Sequence, residues 1–141
     1  MARIRAAVWG PQEYWETRIK RYMDCELHPR QALTPRIVYV ALEADAVVGF
    51  VAGHLTQRYG CDGELEWINV AAEHRKRGLA SELLRCLTRW FAGQNALRVC
   101  VDVEPINTAA RSFYMRYGAS ELNKHWLVWE DIRTVMKEPP A

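Results

Sequence analysis

Apolar and polar residues in the first half of the chain follow patterns that predict both strands and helices. Residues Arg3 to Val8 predict a first strand. Apolar side chains at three-to-four-residue spacing then predict a helix that begins near Gly10-Pro11 and ends at His28-Pro29. Two β-rich runs, Ile37 to Leu42 and Val47 to Leu55, flank a short turn and indicate a β-hairpin.

The second half of the chain alternates strands with helices. It predicts strands at Leu65 to Val70, Arg98 to Val103 and Trp126 to Trp129, and helices from about Gly78 to Phe91 and from an Asn107 or Thr108 cap to Gly118. Antiparallel strands followed by strand, helix, strand, helix and strand are typical of a mixed sheet. We therefore expect an α/β fold in which helices cover both faces of one sheet.

The composition is typical of one globular domain. Of the 141 residues, 50% are hydrophobic and 26% are charged, a mixture that does not indicate intrinsic disorder. A chain of this length usually forms one hydrophobic core, so we expect a single domain over residues 1–141. The 19 Lys and Arg residues exceed the 17 Asp and Glu residues by only two, so overall charge predicts no nucleic-acid partner.

No apolar run in the sequence is long enough to cross a bilayer. The longest, Ala46 to Gly53, is far shorter than the span of about 20 residues that a membrane helix needs, and the first residues lack a signal-peptide pattern. The four cysteines include no CxxC pair, which favours reduced thiols. Cys25-x-x-His28 has a metal-like spacing but no second pair, so no metal is expected. These features predict a soluble, cytoplasmic protein without a membrane partner.

The helix predicted near Gly78 follows cations, although a helix N-terminus favours anions. Arg75-Lys76-Arg77 precedes its first turn, and no capping side chain occurs before Ser81. The small residues Gly78 and Ala80 let a ligand approach the backbone, so the pattern favours a bound phosphate or pyrophosphate. The alternative is a solvated basic loop with Ser81 as a late cap. Neither the P-loop nor the GxGxxG fingerprint is present.

Two segments resemble signatures of the GCN5-related N-acetyltransferases, the GNAT superfamily. The run Arg75-Lys76-Arg77-Gly78-Leu79-Ala80 is similar to the pattern Q/R-x-x-G-x-G/A, and Asn107 to Gly118 is similar to N-x-x-A-x-x-x-Y-x-x-x-G. The resemblance covers roughly Arg36 to Asp131. Ala80 replaces the commoner second glycine, and Ala119 stands where the family often has Phe.

The resemblance implies that acetyl-CoA binds as co-substrate where the sheet splays between the strands ending at Val70 and Val103. Diverging strand ends leave backbone groups that a pantetheine chain can satisfy. By resemblance, residues 36–131 form the acetyl-CoA-binding core, residues 1–35 help to shape the acceptor site, and residues 132–141 form a tail. The implied cofactor contacts are Ile68, Asn69, Val70, Arg75, Lys76, Arg77, Gly78, Leu79, Ala80, Ser81, Asn107 and Tyr114.

Tyr114 is the candidate general acid for the departing thiolate. Reference pKa values near 10 for Tyr and 8.5 for a thiol make complete proton transfer uphill by about 2 kcal/mol, so a strong hydrogen bond with partial transfer is expected. Tyr114 lies seven residues after Asn107, about two helical turns, so both side chains project from nearly the same face. The alternative is an aromatic residue of the core.

Glu64 and Glu66 are candidate general bases. They alternate with Leu65 and Trp67, so we expect both carboxylates on the face of the strand that also carries Ile68 and Val70. In the GNAT family, bases occur at both positions or on the next strand, here at Asp102. Direct deprotonation of a lysine-like ammonium by Glu costs about 8 kcal/mol, so we expect proton transfer through water or after amine addition. The alternatives are solvent-facing carboxylates and carboxylates that only attract a cationic acceptor.

Together these features predict an acetyl-CoA-dependent N-acetyltransferase. It would transfer the acetyl group directly, in a ternary complex, to a primary amine of a small molecule or a protein. Two alternatives remain, a non-catalytic acyl-CoA-binding sensor and a small nucleic-acid binder that uses Arg75 to Arg77. A homodimer is one assembly that the sequence allows. His54 and His125 lie in strand-like segments and are assigned structural roles.

Overall fold

The computed structural model describes residues 1–6, 11–24, 33–75 and 77–137, and its centre is a six-stranded mixed sheet. The strands are β1 (Leu33–Glu43), β2 (Ala46–Leu55), β3 (Gly63–Val70), β4 (Val99–Asp102), β5 (Ser120–Glu121) and β6 (Trp126–Trp129). Their order across the sheet is β1-β2-β3-β4-β6-β5. The helices are α1 (Ala2–Ala6), α2 (Gln12–Met23), α3 (Leu79–Gly93) and α4 (Thr108–Arg116). The predicted fold class is therefore confirmed.

The hairpin of β1 and β2 begins the sheet. Glu43 pairs with Ala46, and the two residues between them, Ala44 and Asp45, have φ angles of 48° and 65°. Two positive φ angles are typical of the tight turn that matches the twist of a two-residue hairpin. β2 then pairs antiparallel with β3, so the hairpin predicted from the sequence continues into a three-stranded meander.

Helices cover both faces of the sheet, as the sequence predicts. On the face named here the α2 face, Phe50 of β2 packs with Trp15 and Ile19 of α2 and with Ile4 of α1. On the opposite face, the α3 face, Val51 packs with the apolar side of α3. Neighbouring residues of β2 thus point to opposite cores, as the period of a strand requires.

The N-terminal strand predicted at Arg3 to Val8 is wrong over the residues described, because Ala2–Ala6 is helical. The segment is too short for its apolar pattern to distinguish a helix from a strand. Ile4 is 3% exposed and packs against α2, and this tertiary contact stabilises the helical form. Residues 7–10 lie outside the described ranges. The predicted end of α2 at His28-Pro29 does too, and the structure ends that helix at Met23.

The structure also bears on the predicted C-terminal tail, on the cysteines and on membrane-spanning helices. Ile132 and Val135, in the segment expected to be a tail, are buried in the core of the α3 face. Cys61, Cys86 and Cys100 are free thiols, whereas Cys25 and His28 lie outside the described residues. Within the ranges that the structure describes, no helix is both long and apolar enough to cross a bilayer.

Candidate active site

β3 and β4 pair only near their starts, and a cleft opens beyond. The parallel register runs from Gly63 opposite Val99 to Leu65 opposite Val101. Asp102, the next residue of β4, pairs with β6. No strand of the described structure pairs with β3 on this side beyond Leu65. The splay predicted between β3 and β4 is present and opens into a cleft of about 1040 Å³.

Charged and aromatic side chains line this cleft. Its carboxylates are Glu64, Glu66, Asp102 and Glu104, and its guanidinium groups are Arg5, Arg18 and Arg58. Its aromatic lining consists of Tyr14, Trp15, Trp67, Tyr114 and Trp126. Since α1 and α2 supply four of these side chains, the N-terminal segment forms part of the cleft.

An irregularity in β3 changes which face each of its residues occupies. Ala52 of β2 pairs with Trp67 and Gly53 pairs with Leu65, so Glu66 is an extra residue, as in a β-bulge. Glu66 and Trp67 therefore both lie on the α2 face, where Trp67 joins the core of that face. The alternation of the strand is shifted by one residue beyond this point.

The predicted position of the two carboxylates is therefore half right. Glu64 and Glu66 share a face, because both lie near His54. Ile68 and Val70 do not share it, since both pack into the core of the α3 face. The bulge is the physical reason, because one extra residue reverses the phase of every later side chain in the strand.

Glu64 and Glu66 form a buried cluster with His54. Their ligand-type atoms lie within 4.8 Å of one another. Glu64 Oε1 also accepts a hydrogen bond of 3.0 Å from Arg58 Nε, and Glu66 Oε1 lies 3.7 Å from a terminal nitrogen of Arg18. The cluster thus places two acidic groups between two guanidinium groups at the wall of the cleft.

Burial changes the acid–base character of the carboxylates in the cleft. The pKa of Glu66 is raised, first because burial disfavours its charged form and then because Glu64 is negative, while His54 opposes the shift. The pKa of Asp102 is also raised, by burial and by nearby Glu104. A raised pKa makes the carboxylate a stronger base than an exposed one.

Tyr114 of α4 lines the same cleft. It is 6% exposed, and its ring packs edge to face on Trp129 with 5.6 Å between centroids. Burial raises the pKa of its hydroxyl, and the positive charge of Arg5 opposes that shift. Asn107 lines the same cleft and caps α4, because its Oδ1 accepts a hydrogen bond from Ala110 N. The cap predicted for this helix is confirmed at Asn107.

The start of α3 has the conformation that a close ligand approach requires. Gly78 has φ 78°, and a Cβ at this position would meet no atom within 4 Å. No side chain caps the helix at Gly78. The hydroxyl of Ser81 lies 2.6 Å from the hydroxyl of Tyr117, so it forms that hydrogen bond and does not act as the late cap considered above.

Arg75 and Arg77, the two cations of the basic run that the structure describes, have different partners. Arg75 Nε donates to the carbonyl of Val70 at 3.2 Å, which ties the run to the end of β3. Arg77 Nη1 lies 3.4 Å from Glu43 and contacts His74. Lys76 lies outside the described residues. Arg75 and Arg77 thus already have partners, which reduces the basic surface that a nucleic acid would need.

The structure divides the predicted site residues into two groups. Those that line the cleft are Glu64, Glu66, Ile68, Asn69, Asp102, Asn107 and Tyr114. The residues at the end of β3 and the start of α3 do not line it. They are Val70, Arg75, Arg77, Gly78, Leu79, Ala80 and Ser81. Val70 lies between the two groups, because it follows Asn69 on β3 and its carbonyl accepts a hydrogen bond from Arg75.

Sequence reasoning missed part of the cleft. Arg5 donates to Asn69 Oδ1 at 3.0 Å and lies 4.2 Å from the ring centroid of Trp15. Arg18 and His54 adjoin the carboxylates. No motif marks these residues. The one available signal is that Trp15 and Arg18 are three residues apart, so both can face the sheet from one side of α2.

Comparison with known sequences gives related acetyltransferases. Over 63 residues, 45% of this chain, the sequence is 38% identical to the uncharacterised N-acetyltransferase YobR of Bacillus subtilis. It is 26% identical over 92 residues to an aminoglycoside N(6')-acetyltransferase type 1 of Salmonella typhimurium, 61% of this chain. The matched segments span 26% of the length of YobR and 63% of the Salmonella protein.

Solved structures share the fold over most of the chain. An aminoglycoside 6'-acetyltransferase type Ii matches 93% of this chain and 86% of its own, with a TM-score of 0.71 and 20% identity. An aminoglycoside N-acetyltransferase in complex with CoA matches 86% of this chain and 80% of its own, with a TM-score of 0.68 and 21% identity. The family model described as the acetyltransferase (GNAT) family matches residues 7–119. The chain therefore belongs to the acetyltransferase (GNAT) family, a family of acyltransferases that use acetyl-CoA.

Proposed function

We propose that this protein is an N-acetyltransferase that transfers an acetyl group from acetyl-CoA to a primary amine of a small molecule. The observation that carries the proposal is the cleft between β3 and β4, because the carboxylates Glu64, Glu66 and Asp102 and the phenol of Tyr114 all line it. Acid–base groups in one cleft suit a reaction in which one group takes a proton and another supplies one. Membership of the GNAT family supports the same chemistry.

The residues at the cleft fit acetyl-CoA, which supplies the acetyl thioester that the amine attacks. The unpaired edge of β3 at Ile68, Asn69 and Val70 offers backbone groups to the amides of the pantetheine. Gly78 leaves open space above the start of α3, so the backbone N–H groups there can approach the diphosphate. In this role Leu79, Ala80 and Ser81 supply N–H groups, while Arg75, Lys76 and Arg77 supply positive charge.

Tyr114 acts in this proposal as the general acid. Its buried hydroxyl keeps its proton at neutral pH, because burial raises its pKa. The departing sulfur develops negative charge and can accept a hydrogen bond from Tyr114 Oη. Since a phenol holds its proton more tightly than a thiol, the bond assists departure through partial transfer. Asn107 is assigned to the same wall, where it also caps α4.

Glu66 acts in this proposal as the general base, with Glu64 and Asp102 as the other candidates. Glu66 is favoured because its pKa is raised and because it lies nearer than Glu64 to the unpaired edge of β3. A carboxylate with a raised pKa, once ionised, takes a proton more readily than an exposed one. The proton comes from the ammonium formed as the amine adds, or passes through water.

The cleft favours an acceptor that carries positive charge. Arg58 pairs with Glu64, and Arg18 lies beside Glu66, whereas Asp102 and Glu104 form no ion pair with an arginine or a lysine among the described residues. These two acidic groups attract a cationic amine. Aminoglycosides are a candidate class, because two relatives are named for their acetylation.

A thiol-release assay tests the proposal. The full-length protein is incubated with acetyl-CoA and, separately, with polyamines, aminoglycosides, amino acids and peptides. We expect thiol release with at least one class and none with the same compounds after their primary amines are blocked. Binding of acetyl-CoA without release across all classes would support a sensor instead. Binding of DNA or RNA that survives saturating CoA would support a nucleic-acid binder.

A further inference from the structure

His54 is buried beside the proposed base and has no role in the mechanism so far. It is 0% exposed and lies on β2, directly across from Glu64 in the register of β2 and β3. His54 Nε2 is 3.7 Å from Glu64 Oε1, and His54 Nδ1 is 3.9 Å from Glu66 Oε2. One imidazole therefore contacts both carboxylates.

The hydrogen bonds of His54 leave one ring nitrogen available. The hydroxyl of Tyr22 lies 2.8 Å from Nδ1. Nε2 is buried and has no hydrogen-bond partner among the described residues. Since an unpaired buried polar atom costs free energy, a ring held in this way is unusual for a histidine with only a packing role.

Other charged groups around the cluster limit what it can bind. The groups that face it are Tyr22 and Arg18 from α2, Arg58 before β3, Arg5 from α1, Arg36 beside Tyr22 from β1, and Asp102 and Glu104 across the cleft. Arg58 already donates to Glu64 Oε1 at 3.0 Å. Two guanidinium groups beside the carboxylates disfavour a bound metal cation, although the three side chains offer a ligand set that zinc accepts.

We infer that His54 is a positioning residue that, together with Glu64, sets the pH range over which Glu66 is ionised and able to accept a proton from the amine. The inference rests on the proposed role of Glu66. His54 and Glu64 act in opposite directions, because positive charge on the imidazole stabilises the Glu66 carboxylate and the negative Glu64 destabilises it. The two neighbours thus shift the pKa of Glu66 in opposite directions.

Opposite shifts in two variants test the inference. In His54→Asn the amide, which can donate or accept, can keep a hydrogen bond with the Tyr22 hydroxyl but cannot carry positive charge, so Glu66 should ionise at higher pH. In Glu64→Gln a negative neighbour is lost, so Glu66 should ionise at lower pH. We expect a shift of about one pH unit in each direction, which corresponds to about a tenfold change in kcat/KM on the acid limb. The plateau at high pH should stay close to wild type for His54→Asn.

Two measurements report these shifts. The first is the acid limb of the kcat/KM profile with an acceptor identified by thiol release. The second is a titration of the Glu66 carboxyl carbon by NMR, which needs no turnover. Thr88→Val serves as the control, because Thr88 is equally buried but lies in α3 and bonds to the carbonyl of Leu84. We expect that control to move neither midpoint.

Several outcomes would overturn the inference. A fall of kcat/KM by one factor at every pH would assign His54 a structural role only. Stoichiometric zinc in the purified protein, with activity lost to EDTA, would make the cluster a metal centre. If His54→Asn does not fold, the Glu64→Gln titration decides alone, and an unchanged midpoint there refutes the inference. Absence of thiol release by wild type would refute the proposed function, whereas the NMR titration would still decide the role of His54.

Discussion

On the α3 face of the sheet, Leu84, Leu87 and Phe91 pack into an apolar core, and the one buried polar side chain described in α3, Thr88, bonds within its own helix. On the α2 face, aromatic side chains of comparable burial surround His54 and Glu64, which are 0% and 4% exposed. Burial of apolar groups stabilises a fold, whereas burial of charge costs free energy. The α3 face therefore supplies stability, and the α2 face uses part of that stability to hold reactive groups.

The largest expected effect comes from removing a ring on the α3 face. Phe91 is 0% exposed, and its ring lies so close to Gly63 that a Cβ there would clash with it. Phe91→Ala should lower the free energy of unfolding by about 3–5 kcal/mol, measured by urea denaturation. Exposed Met115→Ala serves as the control, with an expected loss well under 1 kcal/mol. A small loss for Phe91→Ala would show that the α3 face is not the main source of stability.

A second variant tests whether the start of α3 binds the diphosphate of acetyl-CoA. Gly78→Val should weaken acetyl-CoA binding more than tenfold, about 1.4 kcal/mol, because a side chain would occupy the approach to the start of α3. The variant should still fold, since that space contains no other atom, although its positive φ makes the substitution strained. Titration calorimetry with acetyl-CoA measures the change.

Gly93, whose φ is not positive, offers a control for the added side chain alone. It lies at the other end of the same helix, and a Cβ there also meets nothing within 4 Å. Gly93→Val should leave the affinity for acetyl-CoA unchanged. Equal affinity of the Gly78→Val variant and the wild type would remove the diphosphate from the start of α3.

A third variant tests the proposed general acid, Tyr114. Tyr114→Phe should lower kcat about tenfold and leave the affinity for acetyl-CoA nearly unchanged, because only the proton donor is lost. The effect is modest for a general acid, since burial raises the pKa of the hydroxyl and makes full proton transfer costly. Steady-state kinetics with saturating acetyl-CoA measure it, with Tyr39→Phe of β1 as the control. Equal kcat values would leave Tyr114 as a packing residue.

The sequence predicts the α3 face better than the α2 face, for physical reasons. Regular periodicity identifies α3, because its buried side chains follow the period of a helix, and a continuous run of β-prone residues identifies β2, which is buried almost throughout. The cap at Asn107 and the αL glycine at Gly118 are local backbone requirements that residue type reveals. Such features depend on neighbours in sequence.

The α2 face depends instead on contacts between distant residues. The bulge at Glu66 reverses the strand phase without any residue type that marks it, so Ile68 and Val70 were assigned to the wrong face. Arg5 reaches Asn69 across 64 positions of sequence. His54 looks like an ordinary strand residue until β3 brings Glu64 beside it. Tertiary contacts of this kind leave no periodic signal.

The smallest expected effect is a gain of stability on the α2 face. Because the pKa of Glu66 is raised by folding, protonated Glu66 is favoured in the folded state, and this contribution is lost as pH rises through the folded pKa. Above that folded pKa the buried carboxylate therefore destabilises the fold. Glu66→Gln, which is neutral at every pH, should raise the free energy of unfolding by about 1 kcal/mol at pH 7.

The same variant should show no gain at acidic pH, below the ordinary pKa of a glutamate, because wild-type Glu66 is then protonated in both states. Urea denaturation at the two pH values measures the difference, and Glu121→Gln, exposed on β5, is the control with no expected gain at either pH. A loss of stability at pH 7 would mean that the contacts of Glu66 with Arg18 and His54 outweigh its burial. Charge pairs would then stabilise the α2 face, as apolar burial stabilises the α3 face. The two faces would differ in the kind of interaction that stabilises them, and the charged groups of the α2 face would no longer count as destabilising.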